Sequence, residues 1–206
     1  QMDKDMTPTW TSNAARRVQE AVERIVFAAV PAQCSAYTSG ITAGAEGNIV
    51  LGTSGSPVGL SKLNIVDKIA QLRTCLSEQN VQQEGTFLIL PPSGMERLVT
   101  SELKNTYVTG DPETMLRKGW RGKLCGFDIY ESNLLSHAPD GQVEAYNCLF
   151  GWNKATAFAG TITENDVMDD ASYFAKLYRG LFVYGFKVVR TNAIGNLYCN
   201  FDSTSS

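Results

Sequence analysis

GFDIYESNLL (126–135), LFGWNKATAFA (149–159) and LYRGLFVYGFKVVR (177–190) close this chain of 206 residues. Each run is rich in β-branched and aromatic residues, and the last alternates Phe182, Tyr184, Phe186 and Val188 on one face of an extended strand. The spacing predicts strands near 123–131, 144–150, 155–162, 176–190 and 193–200, the first two joined by a turn at His137-Ala138-Pro139-Asp140-Gly141. These runs carry almost none of the side chains that catalysis requires, so the most ordered part of the sequence reads as architecture.

Upstream the period changes from two to about three and a half. From Trp10 to Val30, apolar residues recur at Val18, Val22, Ile25, Val26 and Ala29, which predicts a long helix ended by Pro31. Glu20 and Arg24 stand at the spacing of a weak helical ion pair. Residues 35–60 are rich in Gly, Ser and Thr around the apolar run Ile49–Leu51, and read as a connector with one strand in it. A second helix is predicted over 63–78, capped by Asn64 with Asp67 at the third position. Then Thr86-Phe87-Leu88-Ile89-Leu90 forms a continuous apolar run, as in a central strand, and ends at Pro91-Pro92. Ser93 and Glu96 have the spacing of a capping box for a third helix over 94–104. Strands separated by helices, followed by strand upon strand, make the fold class α+β.

Composition removes several functions. A net charge of −3 gives no basic field able to hold nucleic acid by counterion release. No apolar stretch is long enough to span a bilayer, and no signal peptide opens the sequence. The five cysteines (Cys34, Cys75, Cys125, Cys148 and Cys199) include no C-x-x-C pair and read as buried, reduced thiols. Glycines 47, 52, 55 and 59 lack the G-K-[ST] ending of a phosphate loop and read as flexible connector. His137 is the only histidine, so any Ser/His/Asp or Cys/His machinery must use it. In a turn with no wall to orient its ring, it reads as an exposed residue; the expectation is that the chain is not an enzyme and has no cofactor or metal site. Two charged groups remain: basic Arg117, Lys118, Arg121 and Lys123 around Trp120, and acidic Glu164, Asp166, Asp169 and Asp170. The basic group reads as a surface paired with acidic groups on a neighbouring subunit, and the acidic group as a solvated loop or as a patch facing a basic one on a neighbouring subunit.

The order of these pieces resembles the major capsid protein of tailed bacteriophages. The carriers are the helix ending near Glu78, Glu84-Gly85, the strand closed by Pro91-Pro92, Leu116-Arg117-Lys118-Gly119 with Gly122, Gly126-Phe127-Asp128-Ile129-Tyr130 with Ser132-Asn133, Leu149-Phe150-Gly151, and Arg179 through Gly185 to Arg190. The resemblance implies the Hong Kong phage-type capsid fold. Residues 1–33 would be the spine helix of a peripheral domain and 34–59 the connector. Residues 60–158 would be an axial domain with a mixed central sheet flanked by helices. Residues 159–185 would be peripheral strands, and 186–206 the final axial strand and tail. It implies a subunit that assembles with copies of itself into hexamers and pentamers of an icosahedral shell, made in a bacterial host. The genome would be enclosed without sequence-specific binding, and scaffolding or decoration proteins are further expected partners. A bacterial encapsulating shell with protein cargo is the alternative, and a soluble hydrolase using His137 a more distant one. Family members place an arm and an extended loop before the spine helix, and the sequence begins at Gln1 without either. The chain is therefore expected to be truncated, and by itself monomeric or weakly associated; stable hexamers, pentamers or shells in sedimentation would refute that.

Overall fold

The computed structural model describes residues 6–34, 49–101, 122–169 and 176–201. Among the described residues, three α-helices, α1 (Met6–Ala29), α2 (Ile65–Glu78) and α3 (Pro92–Thr100), accompany nine strands. The strands are β1 (Val58–Gly59), β2 (Thr86–Leu90), β3 (Lys123–Leu124), β4 (Phe127–Glu131), β5 (His137–Asp140), β6 (Val143–Trp152), β7 (Thr156–Asp169), β8 (Lys176–Val188) and β9 (Ile194–Asn200).

The apolar run of β2 lies inside a mixed sheet ordered β1-β9-β6-β2-β4-β3, with β5 also paired to β6. β2 runs parallel to β4 and antiparallel to β6. A strand flanked on both sides can be apolar throughout because both of its faces are covered. Leu88 and Leu90 point into a core with Phe127, Ile129, Phe150, Leu197 and Phe201. Phe87 and Ile89, on the opposite face, pack against a second cluster of Val30, Leu149, Ala155, Val188, Ala193 and Ile194. The two-residue alternation of a strand thus feeds two cores.

α2 covers the first core through Ile65, Ile69, Leu72 and Leu76, at the four- and three-residue steps that keep side chains on one helical face. α3 adds Met95 and Leu98. Phe127 and Phe150 are fully buried, and each aromatic ring removed from water contributes on the order of 2–3 kcal/mol. Thr86 is buried too, but satisfied: its hydroxyl donates to the Gly126 carbonyl at 2.8 Å and accepts from Arg73 Nη1 at 3.3 Å.

β7 and β8 form a separate two-stranded antiparallel ribbon with an irregularity between Ile162 and Glu164. Strands of 14 and 13 residues extend roughly 45 Å at about 3.4 Å per residue. The base of the ribbon is tied down: Val189 N donates to Ala155 O at 2.8 Å, and Val188 N donates to Gln33 Oε1 at 3.2 Å. α1, of 24 residues, meets the body near its C-terminal end, where Val26 and Phe27 pack on the second core and Ser136 Oγ donates to Phe27 O.

Several expectations are corrected at this level. α1 begins at Met6, with Pro8 in a first turn whose N–H groups have no helical acceptor, so proline costs nothing there. Glu20 pairs with Arg16 at 3.0 Å instead of Arg24. Asn64 precedes α2 but makes no side-chain cap; its Oδ1 accepts from Ser61 N and its Nδ2 donates to Gly59 O, bracing the loop that enters the helix. The Ser93–Glu96 capping box is absent because α3 starts at Pro92, whose fixed φ suits the first helical position, and Ser93 is already inside the helix. His137–Asp140 is a strand and not a turn, since pairing with β6 extends the hairpin down to Gly141 at φ 66°. The expected strand over 123–131 is two strands joined at Cys125 (φ 49°) and Gly126 (φ 83°), the paired left-handed residues of a tight hairpin turn. Residues 49–51 are not a strand, although Leu51 O accepts from Tyr198 N at 2.8 Å. Gly52 is no flexible hinge: at φ 77° it lies so close to β9 that a Cβ would meet the Tyr198 carbonyl oxygen at 2.1 Å.

Candidate interaction surface

His137 has a wall after all. Its ring lies 5.4 Å from that of Tyr146, its Nε2 is 3.3 Å from Glu144 Oε1, and its Nδ1 is 3.2 Å from Leu135 O. β5 and β6 produce this by register, which sets His137 opposite Tyr146. The neighbouring Ser136 hydroxyl is directed to Phe27 O and Asn147 and has no bond to the imidazole. The arrangement is a cross-strand surface pair, with no nucleophile held by the ring.

The thiols divide by position. Cys75, Cys148 and Cys199 are buried, Cys34 is half-buried and Cys125 is exposed at its turn, so the expectation of burial holds for three of the five. Burial pushes Cys34 and Cys75 up to about 11, with Glu78 adding to the effect at Cys75. Cys199 is raised first by burial and then by its contact with Cys148, 3.6 Å between sulfurs. Held as neutral thiols, these groups pack as small hydrophobes and are poor nucleophiles. Among the described residues, no group of three side chains gathers to hold a metal ion, and no helix is long and apolar enough to cross a membrane.

Asp140 organises the tip next to β9. Its Oδ2 accepts from Gly55 N at 2.7 Å and from the Tyr198 hydroxyl at 3.2 Å, fastening the loop before β1 to the β5–β6 hairpin. Burial, and then the Asp140 carboxylate, raise the Tyr198 phenol above its ordinary value. On another edge, the Trp152 ring has two cations over it: Arg190 at 5.2 Å and Lys154 at 5.7 Å from its ring centre. Its indole N–H donates to Glu84 O at 3.0 Å. Sequence reading missed this cluster because Arg190 is remote from Trp152 along the chain and comes near it only once β8 returns to the body.

Of the expected contact charges, Arg117, Lys118, Arg121 and Asp170 lie outside the described residues. Glu164, Asp166 and Asp169 fall on β7, opposite Leu181, Arg179 and Lys176 respectively, so they belong to a strand and not to a loop. Lys123, from the basic group, stands 3.8 Å from Asp128 across the β3–β4 hairpin.

What remains is surface that no described residue covers. Residues 12–19 of α1 are exposed, including Val18, and Ile25 further along is half open to solvent. On the ribbon, Phe158, Leu181 and Val183 are 56%, 51% and 52% exposed, and they occupy both faces. Phe158, Tyr184 and Phe182 make a stacked ladder with centroids 6.3 and 5.8 Å apart, and Gly160 leaves the space that the Phe182 ring fills. A two-stranded hairpin by itself is marginal in water, and it becomes independently stable when a third strand or a helix covers it. The ribbon is long and carries exposed apolar side chains beside its charged ones.

No protein-family model and no curated protein matches the sequence. Among solved structures, the chain is similar to one from Mycobacterium phage Che8, with a TM-score of 0.65 and 22% identity over 92% of this chain and 62% of that one. It is also similar to a chain in the capsid structure of the cyanophage P-SCSP1u, with a TM-score of 0.60 and 15% identity over 94% of this chain and 65% of that one. The chain spans less than two thirds of either. The α+β fold described above, few helices around a mixed sheet, is thus shared with a chain of a cyanophage capsid structure.

Proposed function

We propose that this chain is a structural subunit of an icosahedral phage capsid, a shell protein that works by contact with copies of itself and not by catalysis. The observation that carries the reading is the fold shared with a cyanophage capsid chain over 94% of this sequence. The distribution of surface supports it. A 24-residue helix and a two-stranded ribbon stand out from a well-filled core and expose apolar side chains that a monomer has no use for.

In this reading the fold is of the Hong Kong phage type. The main sheet with α2 and α3, residues 60–158 and the last strand from 186, acts as the axial domain. α1 and the ribbon residues 159–185 act as the peripheral domain, with 34–59 as the connector. Copies meet as hexamers and pentamers, assembled in the host cytoplasm and carried in the virion. The genome is enclosed without sequence-specific contacts, in keeping with a net charge of −3. Scaffolding or decoration proteins are further partners.

The test is to express the complete gene product in a bacterium and examine the sedimented fraction by electron microscopy, with nucleic-acid and protein content measured. Closed shells of uniform diameter support the reading, whereas a soluble monomer without particles overturns it. Shells filled with a second protein and free of phage DNA would point instead to a cargo-enclosing bacterial compartment.

A further inference from the structure

The ends of the main sheet are blunted: β1 and β3 are two residues each, too short to template another strand. The ribbon is the opposite case. β7 and β8 are long, and among the described residues neither has a second strand beside it.

The direction of their free backbone groups follows from one bond. Val188 stands opposite Thr156, yet its N–H donates to Gln33 and not across the ladder. Thr156/Val188 is therefore a pair whose N–H and C=O groups face outward. Alternation gives the same orientation to Phe158/Phe186, Gly160/Tyr184 and Ile162/Phe182. Both outer edges consequently present rows of backbone donors and acceptors, and neither strand contains proline.

The edges also differ in sign. Every charged residue of β7 is acidic (Glu164, Asp166 and Asp169), and every charged residue of β8 is basic (Lys176, Arg179 and Lys187). Register places Asp166 opposite Arg179 and Asp169 opposite Lys176 within the ribbon. Pairing two β7 edges, or two β8 edges, would set like charges against each other, which is unfavourable across neighbouring strands. Adding β7 of one copy to β8 of the next would set each basic strand between two acidic ones.

We infer that the ribbon is an edge-to-edge docking surface for a second copy of this chain, with the acidic β7 edge of one copy adding to the basic β8 edge of the next. Such a contact is heterologous: it leaves one edge of each sign open at the two ends and so extends into rings or a lattice, not a closed two-fold dimer. Charge polarity sets the partner edge, and the backbone groups supply the pairing. The inference rests on the shell-subunit reading for its partner and assigns the surface that partner uses.

Sedimentation across a concentration series at low ionic strength tests it, using four forms of the chain. These are the unaltered chain, a β7 reversal (Glu164→Lys, Asp166→Lys, Asp169→Lys), a β8 reversal (Lys176→Glu, Arg179→Glu, Lys187→Glu) and the double reversal. The unaltered chain is expected to gain average mass with concentration, and to lose that gain in high salt. Each single reversal is expected to stay monomeric, an equal mixture of the two to associate, and the double reversal, which keeps the pairs within the ribbon, to recover the gain. Tyr184→Pro covers the case in which a single reversal unfolds, because it removes one outward N–H and no ribbon bond; it is expected to melt as a folded chain and stay monomeric. Association unchanged in the reversals or in Tyr184→Pro, or absent from the unaltered chain, overturns the edge pairing. Shells formed by the complete protein together with reversal-insensitive association would sink this inference and leave the shell reading standing; absence of shells would be the failure of that reading.

Discussion

Replacing Gly151 by alanine tests whether the sheet is stacked as described. Gly151 lies in β6, opposite Phe87 of β2 and Ile194 of β9, so its Cα is hemmed in by both neighbours. A Cβ there would stand 2.6 Å from Ala193 O and 2.7 Å from Ile194 Cα, well inside van der Waals contact. Both obstacles are backbone, so no rotamer change relieves them; β9 and the short helical turn before it must move away from β6. Overpacking of this kind costs 1–3 kcal/mol, and the lack of side-chain relief places this site at about 3. For a chain of this size, 1 kcal/mol shifts the melting temperature by about 2–4 °C, so a fall of roughly 6–12 °C is expected by circular dichroism. Gly185 is the internal control. It also lies in a strand, opposite Ala159, but a Cβ there meets nothing within 4 Å and its φ is not positive. Gly185→Ala should raise stability by about 0.4–1 kcal/mol, because alanine has fewer unfolded conformations to lose. If Gly151→Ala melts with the unaltered chain, or Gly185→Ala loses as much as Gly151→Ala, the packing of β6 against β9 is wrong.

Other perturbations follow the same logic. Gly52→Ala combines a left-handed backbone with a clash on the Tyr198 carbonyl and should cost at least about 2 kcal/mol in urea unfolding. Thr86→Val leaves the Gly126 carbonyl and an Arg73 donor without their hydroxyl and should cost about 1–3 kcal/mol by the same assay. Ser93→Ala should be neutral or slightly stabilising, since Ser93 Oγ is buried with no partner among the described residues; a loss near 1 kcal/mol would instead restore the capping box. Because Cys34, Cys75 and Tyr198 hold their protons more tightly when folded, the unfolded chain ionises first as pH rises. Their contribution is complete below about pH 8.5 and is lost progressively as pH climbs toward 11, so the urea midpoint should fall over that range. A midpoint that is flat from pH 8 to pH 11 would refute the burial of the two thiols.

Much of the fold could be read from local pattern. α1 and α2 declared themselves by three- and four-residue spacing, β2 by an unbroken apolar run, and β8 by strict alternation. The failures have local causes as well. Pro139 and Gly141 made His137–Asp140 look like a turn, whereas β6 recruits it as an outer strand on which proline is tolerated. Cys125 concealed a tight hairpin because cysteine is not a residue expected at positive φ. The position of β9 between β1 and β6 has no local signature, since strand order is set by long-range pairing. The charge and aromatic content of the ribbon were legible in the sequence, and its pairing was not: only the register of β7 on β8 shows that the acidic and basic runs lie side by side.

The central claim, that this chain builds a phage shell, is tested most directly by cryo-electron microscopy of particles formed by the complete protein. The account predicts an icosahedral lattice in which the main sheet with α2 and α3 surrounds the capsomer axes, while α1 and the β7–β8 ribbon lie against neighbouring copies. Particles that never form, or a lattice in which α1 and the ribbon face open solvent, would contradict it.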